Sequence, residues 1–432
     1  MNKIIKSFLK SPLVKQSGVY GFTSLINAVL PFLLLPLLSY YLSPDEYGLV
    51  AMYTLTTSIF LPLVSLNSHS AIGKRYYYDE DKSDFANYIG NTILIILGSG
   101  SLMILLSLVL SPILFKATGL EVQWVLLALF SAACQSILMT RLSIWQMDNK
   151  PKKYALFQII FVLFKLLLSL LFVIIFLWSW QGRVYAMFIA VLFLGFGSLW
   201  SLKCEGLLTV KLDRIKIKHA LTYGVPLVPH SLAAFAIAYT DRLTINSLID
   251  LETMGLYTVA FQVSSVFNMG LNAFNQAFTP WLFGKIKLSE SQPDTKNQIV
   301  KVSYSIILLI VIAYFALLLV IPPIFRILSP SYQEAAIYVK YILLGFMFNG
   351  LYYLFCNYMF YSEKTGKLSL ITLSASLINI PLTYFFVKNF GALGAAQATA
   401  IVSALSFLFT WVLSTKFIDL PWFNIGILKQ RH

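Results

Sequence analysis

The sequence predicts an all-α integral membrane protein: about twelve transmembrane helices in two lobes of six, with both termini cytoplasmic. Three observations carry this prediction. Only 12% of the 432 residues are charged and 58% are hydrophobic, whereas a soluble domain carries roughly 25% charged residues. Apolar runs such as 91–115, 154–178 and 303–325 are long enough to cross about 30 Å of hydrocarbon as helices. No alternating pattern of barrel strands competes with them. Finally, the basic residues fall into every second connection between those runs.

Taken in order, residues 1–15 form an interfacial amphipathic segment, in which Lys3, Lys6 and Lys10 interleave with Ile4, Ile5, Phe8 and Leu9. This pattern lacks the features of a cleavable signal peptide. The N-terminal lobe, 16–210, holds spans at about 16–42, 46–72, 86–114, 121–145, 153–178 and 183–203. The C-terminal lobe, 211–418, holds spans at about 219–249, 253–284, 298–328, 333–361, 366–388 and 391–416. Residues 419–432 are a cytoplasmic tail. With the N-terminus inside, the cytoplasmic segments hold 24 Lys and Arg, and the outer segments hold four: Lys116, Arg183, Arg326 and Lys388. That asymmetry is the positive-inside signal. The net charge of +14 therefore reports topology first, and no basic soluble domain exists to hold a nucleic acid.

Cys134, Cys204 and Cys356 follow no metal or redox spacing and are expected to pack. No phosphate loop, HExxH or Gly-x-Ser-x-Gly turn is present. The longest connections, near 73–85, 203–218 and 285–301, are too short for a nucleotide-binding domain. The expectation is a protein that is not an enzyme, with no metal and no cofactor beyond a possible coupling H+ or Na+.

The chain repeats itself with an offset of 207 residues. Leu42-Ser-Pro-Asp-Glu-Tyr-Gly48-Leu49 corresponds to Ile249-Asp-Leu-Glu-Thr-Met-Gly255-Leu256, so Asp45 matches Glu252 and Gly48 matches Gly255. Six spans per half is an even number, which gives both halves the same orientation. In the eighth span, Ser265, Asn268, Asn272, Asn275, Gln276 and Thr279 are spaced by three or four and share one helix face. The second span carries Ser58, Ser65, Asn67, Ser68 and His69, of which Ser65, Ser68 and His69 correspond to Asn272, Asn275 and Gln276. A polar face of this length is costly against lipid. It lines a wet cavity or makes hydrogen bonds between helices.

Four basic residues lie within spans, Arg141, Lys165, Arg242 and Lys340, against one comparably deep acid, Asp241. Lys165 is near the midplane, where a cation costs at least about 2.5–3.5 kcal/mol. Arg141 is close enough to the inner end to snorkel. Asp241 and Arg242 are chain neighbours that point to different helix faces, so they are expected to pair poorly with each other. Four cations to one anion predict a cavity that attracts an anionic substrate. Pro31 and Pro36 in the first span, and Pro226 and Pro229 in the seventh, are candidate hinges. His230 is a candidate proton sensor or a core imidazole.

The hairpin Leu42-Ser-Pro-Asp-Glu-Tyr-Gly48 resembles the signature of bacterial polysaccharide transporters. These are the Wzx-type O-antigen flippases of the multidrug/oligosaccharidyl-lipid/polysaccharide (MOP, MATE-like) superfamily. Arg75-Tyr-Tyr-Tyr-Asp79, Asp241-Arg242-Leu243, Gly255-Leu-Tyr257 and Gly391-Ala-Leu-Gly-Ala395 are similar further along, so the resemblance spans the chain. It implies a flippase in the bacterial inner membrane that moves an undecaprenyl-diphosphate-linked oligosaccharide outward by alternating access. The implied partners are membrane lipid, a polysaccharide polymerase and a chain-length regulator. Moving about two negative charges outward gains about 4–5 kcal/mol per 100 mV. On this reading Arg242, Lys165, Lys340 and Arg141, with Asp241, meet the diphosphate region, while Asn272, Asn275, Gln276, Ser68 and His69 meet the sugar. A MATE-type cation antiporter, a peptidoglycan-precursor flippase and a non-transporting subunit are the alternatives. The absence of any acid between Gln16 and Leu42 counts against the first, and room for only twelve spans against the second.

Overall fold

The computed structural model describes residues 12–78, 81–289, 291–292, 294–362, 364–418 and 420–422. The interfacial segment expected at 1–15 lies largely outside them, as does most of the tail. Fourteen α-helices and no strands occur among the described residues. They are α1 (Pro12–Ser39), α2 (Pro44–Ser65), α3 (Ser70–Tyr78), α4 (Lys82–Val109), α5 (Ser111–Thr118), α6 (Val122–Met147) and α7 (Pro151–Ser169). After a π-helical turn at Leu170–Ile175 come α8 (Ser179–Cys204), α9 (Arg214–Gly224), α10 (Leu227–Leu248), α11 (Leu251–Ser289) and α12 (Asp294–Ile324). A 3-10 turn at Pro330–Ala335 leads into α13 (Ala336–Tyr361) and α14 (Thr365–Ser414).

Eight helices among the described residues are long and apolar enough to cross a membrane, or up to nine if a bent pair counts as one span. The expected number was about twelve, and composition explains part of the difference. The 39-residue α11 is amply long, but its three asparagines and two glutamines dilute its apolar content. The 50-residue α14 is two helices joined at Gly391, whose φ of 63° is left-handed. A Cβ on Gly394 would lie 2.1 Å from the Phe386 carbonyl oxygen. The Gly391-Ala-Leu-Gly394 motif is therefore what lets the two helices meet in a tight turn.

The other hairpin motif is equally physical. Ser43 caps α2: its hydroxyl accepts the Glu46 N–H, and the Glu46 carboxylate accepts the Ser43 N–H at 2.9 Å. This reciprocal box satisfies two orphan donors, and Asp45 and Glu46 complement the helix dipole. At α11, which starts 207 residues after α2, the Asp250 carboxylate accepts the Thr253 N–H at 2.7 Å. The repeated sequence thus encodes the same helix start twice.

The chain divides into two compact units, one ending at Ala236 and the other beginning at Ile237. The sequence placed the boundary at 210/211, in a loop. That loop is docked onto the first unit. Thr209 N–H donates to the Ala86 carbonyl, Asn91 Nδ2 donates to the Lys211 carbonyl at 2.9 Å, and Asp213 N–H donates to Asn91 Oδ1 at 2.9 Å. A Cβ on Gly90 would collide with the Thr209 carbonyl at 2.1 Å. Ala220 of α9 then joins the core formed by Ile72, Tyr88, Ile89, Ile144 and Leu202.

Within the first unit α2 packs on α6, α6 on α8, and α1 and α8 on α7. In the second, α13 packs on α11, α12 and α14.

Candidate transport sites

In the first unit, the second expected span is broken. Helix α2 stops at Ser65 because Leu66 and Asn67 both adopt left-handed φ, 45° and 48°. Ser65 stabilises the break, its hydroxyl accepting the Asn67 N–H and its carbonyl accepting the Ser68 hydroxyl at 2.7 Å. Asn67 Nδ2 donates to Ser231 Oγ at 3.0 Å. A second break packs here: α9 ends at Gly224, whose absent Cβ leaves room for the Leu66 carbonyl, 2.2 Å from where it would stand. Pro226 sits in that second break and Pro229 in the first turn of α10, whereas α1 runs unbroken through Pro31 and Pro36. Ser68 is fully buried and engaged in the break. His69 is half-buried, with Nδ1 lacking a partner among the described residues.

The four intramembrane cations have separate fates. Arg141 is fully buried, its Nη2 2.6 Å from Glu205 Oε2 and its guanidinium 4.2 Å from the Trp145 ring centroid. Lys153 reaches the same carboxylate at 3.0 Å. Burial alone would raise the Glu205 pKa, but its hydrogen bonds from Arg141 and Lys153 hold it below the usual carboxylate range. Arg141 is thus a staple between α6 and the end of α8. Lys340 is exposed, in the second turn of α13.

Lys165 lies half-buried in α7, its Nζ 5.3 Å from the Phe161 ring centroid. Among the described residues no carboxylate comes within ion-pair distance of it. One turn on, Ser169 accepts a hydrogen bond from Arg183 Nη1. Arg183 was counted as an outer-segment charge, yet it is half-buried in α8.

Arg242 belongs to the second unit and is closely held. Its Nη1 is 3.5 Å from Asp241 Oδ1 and donates to the Ala238 carbonyl at 2.9 Å, and its guanidinium lies 4.0 Å from the Phe261 ring centroid. The two chain neighbours do pair, contrary to expectation. The Asp241 carboxylate folds back to accept the Arg242 N–H at 2.8 Å, which brings it alongside the guanidinium. Its other oxygen accepts the Tyr257 hydroxyl at 2.8 Å.

This cluster borders a cavity of about 340 Å³ in the second unit. Its walls carry Asn268, Asn349, Ser376, Asn379 and Ser403, with Tyr257, Phe261 and Tyr352 supplying aromatic surface. Asp241 is the charged residue in the described lining. The lining here is neutral and polar with one carboxylate, not the cationic lining that residue counting suggested.

The polar face of the eighth span divides between its two expected roles. Asn349 Nδ2 donates to Asn268 Oδ1 at 3.3 Å, Asn357 Nδ2 to Asn275 Oδ1 at 2.8 Å, and Thr279 Oγ1 to Asn357 Oδ1 at 3.1 Å. Asn275 is therefore a rung between α11 and α13, while Asn268 is both rung and cavity wall. Asn272 donates to the Asn268 carbonyl and Gln276 is exposed. Sequence reading missed Asn349 and Asn357, although Asn349, Tyr353 and Asn357 recur every four residues on one face of α13.

Comparison with known proteins places this geometry. A model of the family described as "Polysaccharide biosynthesis protein" matches residues 13–287. "Lsg locus putative protein 1" of Haemophilus influenzae is 26% identical, with 93% of this chain aligned to 99% of that one. An "Uncharacterized membrane protein" of the same organism is 24% identical over 90% of this chain and 92% of its own. Among solved structures, the lipid II flippase MurJ in an inward closed conformation has a TM-score of 0.73 at 15% identity, covering 93% of this chain and 87% of its own. An inward-facing MATE-family multidrug transporter of the MOP superfamily has a TM-score of 0.70 at 13% identity, covering 94% of this chain and 99% of its own. At these identities the structural likeness shows the fold: a MATE-like, multi-pass helical membrane protein.

Proposed function

The chain belongs to the polysaccharide biosynthesis protein family, and from that premise we propose that it is a flippase. Its cargo is an undecaprenyl-diphosphate-linked oligosaccharide, carried from the inner to the outer leaflet of the bacterial cytoplasmic membrane for O-antigen or capsule assembly. The observation that carries this reading is the cavity in the second unit, with neutral amides, hydroxyls and aromatic faces held among apolar helices. Such groups suit sugar hydroxyls, which need hydrogen-bond partners once removed from water. Lys165, without an ion-pair partner among the described residues, is the cation we assign to the anionic part of the cargo. Both termini are cytoplasmic on this reading, as the basic loops require.

The test is complementation of a deletion strain, with surface polysaccharide scored at matched expression. Lys165→Ala and Asn379→Ala should each lower it at least tenfold, and Lys152→Ala, at an exposed residue in the first turn of α7, should not. Unchanged polysaccharide in both variants would overturn the reading.

Asp241 favours a second reading, a cation-coupled MATE-type antiporter, because a carboxylate in the cavity wall suits H+ or Na+. Resistance to cationic dyes that falls in Asp241→Asn while polysaccharide stays normal would select it. If polysaccharide falls and dye resistance does not, Asp241 serves cation coupling of the flippase instead.

A further inference from the structure

The first unit carries an apolar groove of about 590 Å³ that the proposed handling of the cargo does not use. Phe196, Gly197 and Trp200 line it from α8, Ile93 from α4, and Leu208 and Val210 from the loop between α8 and α9. Phe196, Trp200 and Lys203 stand at i, i+4 and i+7, on one face of α8. The groove therefore runs about 10 Å along that helix and reaches Lys203, which is part of its lining. Trp200 is 73% exposed, so the groove opens outward from the helices. Its loop side is firmly held. Thr209 N–H donates to the Ala86 carbonyl, Gly90 admits the Thr209 carbonyl, and Asn91 bridges the Lys211 carbonyl and the Asp213 N–H. Val210, Leu212 and Ile215 are thereby kept pointing outward, the last of them 81% exposed. Lys211 and Arg214 stand between them and Lys218 follows, all three exposed.

Large apolar side chains interleaved with cations suit the boundary between acyl chains and headgroups. The carboxylates nearby are already engaged. Glu205 takes Arg141 and Lys153, while Asp213 caps α9 and lies 3.8 Å from the Lys216 ammonium. Lys203, Lys211, Arg214 and Lys218 have no ion-pair partner among the described residues. Any acyl chain would fill the groove, whatever its headgroup. The four cations at the rim discriminate between headgroups, because each juxtamembrane Lys or Arg attracts anionic lipid. We infer that this groove is a binding site for an anionic phospholipid of the inner leaflet, with one acyl chain along α8 and the phosphate at Lys203 and Lys211. The inference takes its sidedness from the flippase reading and is otherwise independent of it: this lipid is a resident ligand of the first unit, not the cargo.

The experiment uses the full chain, delipidated in detergent and titrated separately with phosphatidylglycerol and phosphatidylethanolamine. Native mass spectrometry counts the lipids retained, and phosphatidylglycerol bearing a diazirine in one acyl chain locates the site by peptide mapping after irradiation. The expected result is one phosphatidylglycerol per chain, bound at least tenfold more tightly than phosphatidylethanolamine, with label on residues 193–200 and 207–212. The double variant Lys203→Gln/Lys211→Gln changes only exposed side chains and should weaken phosphatidylglycerol binding at least fivefold. Lys152→Gln, which removes an exposed cation of α7, should not. A Cβ on Gly197 meets nothing nearer than 3.8 Å, so Gly197→Leu extends into the groove and should cut the label at least fivefold. Equal retention of the two lipids, unchanged binding in the double variant, label spread over other lipid-facing helices, or a dimer that excludes lipid from α8 would each overturn the site. None of these measurements reads polysaccharide, so such a result leaves the flippase reading standing, and failure of that reading in complementation leaves the lipid result in place.

Discussion

The Arg141 guanidinium lies 4.2 Å from the Trp145 ring centroid and its ion pair ties α6 to Glu205 at the end of α8. Removing one partner of a buried pair leaves the other charged and desolvated, which costs about 3–5 kcal/mol. Glu205→Gln is therefore expected to destabilise the first unit by about 3 kcal/mol, measured as denaturation in detergent. Lys153→Gln, which removes the exposed member, should cost under about 1 kcal/mol. The Glu205 pKa is depressed on folding, as is that of Asp148, where burial is outweighed by hydrogen bonds from Lys150 and Tyr76. Their contribution is present above the usual carboxylate range near pH 4 and is lost as pH falls through the lower folded values. Wild type and Glu205→Gln should accordingly draw together in stability as pH falls from the usual carboxylate range through the depressed folded value of Glu205, and converge only below it. Arg141 was legible in the sequence as a charge needing an explanation. Its explanation was not, because Glu205 lies 64 positions away.

At the scale of elements, the two hairpin motifs that marked the family have local causes that sequence alone supports: a capping box at Ser43 and a left-handed glycine at Gly391. The break after Ser65 is different. Nothing in Leu66-Asn67 announces two left-handed residues in succession, and the apolar pattern continues past them. They are held by Asn67's bond to Ser231 and by the approach of Gly224, both more than 150 positions away. Gly224→Ala should cost about 1–3 kcal/mol through backbone collision. Gly270→Ala, inside α11 with open space around it, should instead stabilise by about 0.5–1 kcal/mol. Thermal denaturation of the two variants side by side checks both signs.

At the scale of the whole molecule, the segment that follows α14 packs back into the second unit's core at Trp422. Trp422 is 5% exposed. Its ring packs against Phe355 and Tyr358 at 5.4 and 5.9 Å between centroids, and its carbonyl accepts the Tyr304 hydroxyl. Trp422→Ala removes this packing and should cost about 3–5 kcal/mol. A loss of stability under about 1 kcal/mol in detergent would show that this docking is marginal.

The sequence by itself determined class, helix content and the positions of most helix starts. Each of these follows from transfer of a contiguous segment into lipid or from contacts within one turn of helix. Only the tertiary structure decided which intramembrane charges are spent on packing. It neutralised Arg141 with Glu205, folded Asp241 back onto Arg242, left Lys340 at a surface and left Lys165 without an ion-pair partner among the described residues. The physical reason is that a charge's cost in a membrane depends on what faces it across the bundle, and that neighbour can lie anywhere in the chain.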